Sequence, residues 1–214
     1  MNIDQMPKWL DVLERKLGWL AVPSIGILFV TLQVLGFLMV SADPIWLERL
    51  ALIPSAVWKG EIWRLITFLA LPLSTDFFWE LIAIWFAYFL FNTLERELGS
   101  FKITLYTLIS LLFTLFYALG VDYPIFHVRY FESTLLLALA TLYPEYEVSI
   151  FFFIPAKLKW IGWLSIVYAI LECLLGSWKQ RGFFIALYLN YFLFFGMYHF
   201  QFFKQWFKKK NNKF

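Results

Sequence analysis

The sequence predicts an all-α, polytopic membrane protein with six transmembrane helices. Three observations lead there. Of 214 residues, 62% are hydrophobic and only 15% charged, whereas a soluble domain is about 45–50% apolar and about 25% charged. The apolar residues come in long runs. Many of the 11 Trp and 11 Tyr stand at the ends of those runs, at the headgroup level that amphipathic rings prefer.

Residues 1–16 mix Asp4, Lys8, Asp11, Glu14, Arg15 and Lys16 with Trp9, Leu10 and Leu13 at roughly helical spacing. This is the pattern of an N-terminal helix lying on the membrane surface, and it does not read as a cleavable signal. The membrane domain is expected over residues 17–203. A hydrocarbon core of about 30 Å needs about 20 apolar residues of helix. Leu17–Val40 carries no charge and reads as span one, with Pro23 near its start. Residues 41–75 hold three prolines and three tryptophans. They are too apolar for a solvated loop and too interrupted to cross, so a first loop embedded at the membrane surface is expected.

Phe77–Leu94 reads as span two, with Glu80 near enough to its outer end to snorkel. Gly99 is placed to cap that helix and Ser100 to begin the next. Ile103–Val121 is span three. Ser133–Pro144 has only 12 uncharged residues, about 18 Å of helix, so it fits a central helix shielded by its neighbours. Val148–Ala156 is expected to run along the interface. Trp160–Trp178 and Gly182–Phe203 are spans five and six, and residues 204–214 form a basic tail.

With six spans, both termini share a side. Twelve of the 18 basic residues fall on that side and six on the other. Lys and Arg favour the cytoplasm, so both termini are expected there, in a bacterial plasma membrane. A net charge of +3 argues against a nucleic-acid partner. Cys173 is the sole cysteine, so no internal disulfide forms.

Three strings, in order and in register with these spans, carry a family resemblance. Gly60-Glu61-Ile62-Trp63-Arg64 resembles the Trp-Arg motif in the first loop of rhomboid and Derlin proteins. Leu94-Glu95-Arg96-Glu97-Leu98-Gly99-Ser100 resembles the sequence that follows their second span. Pro155-Ala156-Lys157-Leu158-Lys159-Trp160 is similar to the stretch entering their fifth. The resemblance runs from about Trp58 to the end of span six and implies a rhomboid-like bundle. Trp63 and Arg64 would anchor and organise the first loop, and spans two and five would form a lateral gate.

Rhomboid proteases place a serine in Gly-x-Ser-Gly at the start of span four and a histidine on span six. No serine here precedes a glycine, and span six begins Gly182-Phe183-Phe184. The resemblance therefore implies a Derlin-like pseudoprotease. A rebuilt dyad has one candidate serine, Ser133, and two histidines. His199 is about 25 Å down the helix from Gly182 and out of reach. His127 is six residues from Ser133, about 240° around a helix, so only a loop brings the two together. Two separated histidines and one cysteine do not make a metal-ligand set, and no cofactor is expected.

Of the remaining polar residues, Glu172 in span five needs a protein partner, a water-filled cavity or a proton. Asn190 shares a small face with Gly182 and Ala186. Thr134, Ala138 and Thr141 offer a matching face on helix four, so a seam between helices four and six is expected. Ser165, Ala169, Cys173 and Ser177 form a small stripe on span five, either ordinary packing or a gate face that admits a foreign helix. Glu95, Arg96 and Glu97 suit ion pairing at the membrane surface. The expected partners are the lipid bilayer and the transmembrane helices of client proteins, as in membrane-protein quality control. An intramembrane protease with an unusual site is the alternative enzyme reading. A transporter or channel is a further one, which a conductance abolished by Glu172→Gln would support.

Overall fold

The computed structural model describes residues 6–150 and 154–211, so expectations for residues 1–5, 151–153 and 212–214 lie outside the described residues. The chain is mostly helical. Five helices are long and apolar enough to cross a membrane: α2 (Ile25–Ala42), α6 (Phe77–Leu98), α7 (Ser100–Val121), α9 (Leu158–Leu175) and the Trp178–Phe200 part of α10 (Trp178–Asn211). This is a polytopic, multi-pass helical architecture.

Before α2 lie α1 (Lys8–Leu17) and a 3₁₀ turn over Gly18–Leu20. The first span is thus shorter than the run Leu17–Val40 suggests. Proline disfavours a helical conformation in the residue before it, so the chain breaks ahead of Pro23, and Ser24 turns left-handed at φ 57°. The freed amides find partners on other helices. Val22 N donates to Thr104 Oγ1 at 3.0 Å and Ser24 N to Glu95 Oε1 at 2.8 Å. Below the break, α1 is tied to α7 by Lys102 Nζ, 2.9 Å from Asp11 and 3.6 Å from Glu14.

Between α2 and α6 the chain forms α3 (Ile45–Leu50), α4 (Pro54–Val57), α5 (Arg64–Thr67) and a 3₁₀ turn over Phe68–Ala70. This loop meets the segment that follows α7 through mutual backbone bonds between Leu52 and Ile125. We call this the loop end of the bundle. At the opposite end, Gly99 alone joins α6 to α7 with φ +85°, a value that favours glycine. Ser100 does not cap α7. It lies in the first turn and donates to Glu95 Oε1 at 2.6 Å.

The short α8 (Arg129–Leu142) has 14 residues, about 21 Å of helix. It starts four residues before the expected Ser133. It packs on α6, α9 and α10, and every residue from Thr134 to Ala140 is buried. In place of a run along the interface, Val148–Ala156 contributes to a small antiparallel hairpin, β1 (Glu147–Ile150) with β2 (Ile154–Lys157), in the register Glu147↔Lys157. The hairpin's base is closed by Glu145, 2.8 Å from Lys157 Nζ and 2.5 Å from Lys159 Nζ. Hydrogen bonds from Lys157 and then Lys159 lower the Glu145 carboxyl to about 2.

Toward the end of the chain, α9 stops at Leu175, and α10 begins four residues before the expected Gly182. Its backbone continues as helix through Asn211, where a separate tail is expected from 204.

Candidate functional site

In the first loop, Arg64 is 6% exposed while Trp63 is 53% exposed. The guanidinium turns into the loop. It meets Glu61 Oε2 at 2.6 Å, donates to the Ala51 carbonyl at 2.8 Å, and also donates to the Glu48 carbonyl. One planar fork thereby ties α5 to the C-terminal end of α3. Thr67 adds a bond to the Leu50 carbonyl at 3.2 Å.

At the start of α8, Ser133 Oγ bonds the Tyr130 carbonyl at 2.6 Å and lies 3.0 Å from the Tyr188 hydroxyl on α10. His127 is not brought to it. His127 lines a cavity of about 30 Å³ with Thr107, Ser110, Thr114, Phe131 and Phe183. The cavity has room for about two waters beside Ser110 Oγ, which no protein group hydrogen-bonds. Burial, then the neighbouring Arg129, lowers the His127 pKa, so its ring is neutral at pH 7. His199 lies far along α10, with its Nε2 2.6 Å from the Tyr191 hydroxyl.

The expected seam between helices four and six is present with different members. Thr141 Oγ1 meets Tyr191 on α10 at 2.7 Å. Asn190, fully buried, donates instead to the Tyr106 carbonyl on α7 at 3.0 Å. A side chain at Gly182 would likewise run into Tyr117 on α7. The small face of α10 therefore packs on α7, because a small face permits close approach without naming its partner.

Along α9, Ser165, Ala169 and Cys173 are half-buried. Ser165 lies beside the Tyr188 hydroxyl. Ser177 leaves the stripe, since α9 has ended, and accepts from Gln180 N at 3.3 Å at the start of α10. Glu172 sits one turn from the end of α9 and accepts from Tyr168 Oη at 2.6 Å and Gln180 Nε2 at 2.7 Å, so its partners are neutral side chains of α9 and α10.

No protein-family model, curated protein or solved structure matches the chain. Among the described residues, no three His, Cys, Asp or Glu side chains come together to hold a metal.

At the hairpin end, Glu95 takes neutral donors and, among the described residues, no cation: one carboxylate oxygen serves Ser24 N and Ser100 Oγ together. Arg96 is exposed. The Glu97 carboxylate lies beside Tyr143 and pushes its hydroxyl up to about 12. Glu95→Ala removes both bonds and is expected to lower stability by about 1–3 kcal/mol. Glu95→Gln keeps an acceptor and is expected to recover part of that loss. Denaturant-induced unfolding in detergent micelles tests the order wild type, Gln, Ala.

Two further carboxyls are buried, Glu80 at 1% exposure and Glu132 at 9%. Glu80 does not snorkel. Its Oε2 accepts from Ser74 N at 2.8 Å and holds the end of the first loop onto α6. Each of the two leaves Oε1 buried without a donor. Glu132 was hidden in the sequence because a charge beside a short apolar run looks like that run's end. Its only signal is its place between Arg129 and Ser133, one turn inside a helix that its neighbours bury.

Proposed function

We propose that the chain is a six-span, rhomboid-like membrane protein, both termini cytoplasmic, that binds transmembrane helices and does not hydrolyse them. The carrying observation is the pairing of Ser133 with Tyr188. A general base is effective near the working pH. A phenol ordinarily titrates near 10, so it keeps its proton at neutral pH and leaves the serine hydroxyl inactive. The short, buried α8 supports the rhomboid-like reading. It serves as the fourth crossing, its ends below the membrane surface. The first loop organised by Arg64 also supports it. So does the placing of α6 and α9 as flanks of α8.

Helix binding fits α9, which packs on α8, α10 and β2 and leaves Trp163, Leu164, Leu171 and Leu174 at least half exposed. The test is reconstitution in liposomes with single-span substrates whose helices carry Gly and Pro breaks, beside Ser133→Ala and His127→Ala. The expected result is no fragments, with substrates crosslinking to a photoreactive residue at position 169. Cleavage that both variants abolish overturns the inactive reading.

A further inference from the structure

The contacts of α8 fix what each of its faces sees. Phe131 packs at a tilt against Phe29 of α2 and Phe91 of α6, with ring centroids 5.7 and 6.0 Å apart. Ser133 and Thr141 reach α10. Ala140 and Leu137 meet Gly162 of α9, where an added Cβ would lie 2.8 and 3.9 Å from them. Successive helical residues are about 100° apart. Glu132, with Leu136 and Leu139, therefore falls in the sector between the α6 side and the α9 side. Among the described residues, α6 and α9 each pack on α8 and hardly touch one another.

The carboxyl at the floor of that seam has no counter-charge. Oε1 has no donor, and the ionisable group that bears on it is Glu80, another buried carboxyl. Arg129, one turn away, is exposed. It lies over the Tyr130 ring at 5.7 Å and close to Tyr168 of α9.

We propose that Glu132 recognises client helices that carry a lysine or arginine at mid-membrane. This rests on the helix-binding reading above. A cationic side chain in a lone helix is costly in hydrocarbon. A helix lying in the α6–α9 seam brings that cation to a carboxyl that lacks a donor, and the contact is a charge-assisted hydrogen bond in a medium of low dielectric. An all-apolar helix gains nothing from Glu132. A helix with a central glutamate meets two carboxyls and no counter-charge.

The test uses the full chain in proteoliposomes with benzoylphenylalanine at position 170, since Ile170 is 52% exposed and lies on the opposite flank of α9 from Ser165. Three single-span peptides differ only in a central Leu, Lys or Glu. The expected crosslinking yield is about tenfold higher for Lys than for Leu, the size of one charge-assisted bond, and lowest for Glu. Glu132→Gln is expected to remove the Lys preference while the Leu peptide still crosslinks. Equal yields for Lys and Leu on the unaltered protein overturn recognition by Glu132 and leave helix binding standing. A Lys preference that survives Glu132→Gln overturns it too. No crosslink from any peptide overturns both readings. The peptide comparison on the unaltered chain needs no variant to fold.

Discussion

Replacing Arg64 with alanine is expected to lower stability by about 3–5 kcal/mol, as breaking a buried pair does. The guanidinium is 6% exposed and serves Glu61 and the carbonyls of Glu48 and Ala51. Without it, the buried Ala51 carbonyl and the half-buried Glu48 carbonyl lose their donor, and Glu61 loses its counter-charge. Glu61 is 36% exposed at its side chain, so solvent screens part of its share and the carbonyls carry most of the loss. Arg64→Lys keeps the charge but not the fork, and falls between alanine and wild type. Thermal unfolding in detergent micelles measures the difference. Hydrogen exchange at Leu50–Leu52 locates it, because Thr67 and Arg64 together hold that stretch. An Arg64→Ala protein within about 0.5 kcal/mol of wild type, the range of a surface substitution, shows that the loop is held by its apolar contacts alone.

What sequence reading reaches here follows from what the bilayer dictates. The long spans are legible because hydrocarbon demands an unbroken run of backbone-satisfied helix, and the runs beginning at Phe77 and Ile103 have no alternative. The shortness of α8 is legible for the same reason, since 12 uncharged residues do not reach across. Partners are less legible. The Trp63-Arg64 string marks a special loop, but Arg64 bonds Ala51 and Glu48, which are 13 and 16 residues away in the chain. Asn190 announces a polar contact, but the choice of α7 over α8 depends on how the helices are arranged. Pro23 is tolerable at a first turn, so the break before it depends on Thr104 and Glu95 being at hand to take the freed amides. The hairpin is closed by Glu145 across 12 and 14 residues to Lys157 and Lys159. A charged pattern of that span has no fixed period to detect.

Gly36 is expected to tolerate no side chain. A Cβ there would fall on the Ala70 carbonyl oxygen, within 2.6 Å of the carbonyl carbon and 3.1 Å of Ala70 Cβ. The obstacle is backbone in a 3₁₀ turn, so no rotamer relieves it. Either α2 or the turn must move, and that movement stretches the Gln33 Nε2 bond to the Leu69 carbonyl, now 2.7 Å. Gly36→Ala is expected to cost about 1–3 kcal/mol and Gly36→Val more. The contrast is Gly120 in α7, which has nothing within 4 Å of an added Cβ. There the same change is expected to stabilise by about 0.5–1 kcal/mol, because alanine is the better helix former. Unfolding of the three variants gives the order. Hydrogen exchange then places the damage. Faster exchange confined to the turn and to Ser74, which Glu80 fastens to α6, means that the Gly36–Ala70 approach holds the first loop against the bundle. Equal loss at the hairpin means that the whole bundle loosens with α2, and that the loop is held by the bundle rather than by this one approach.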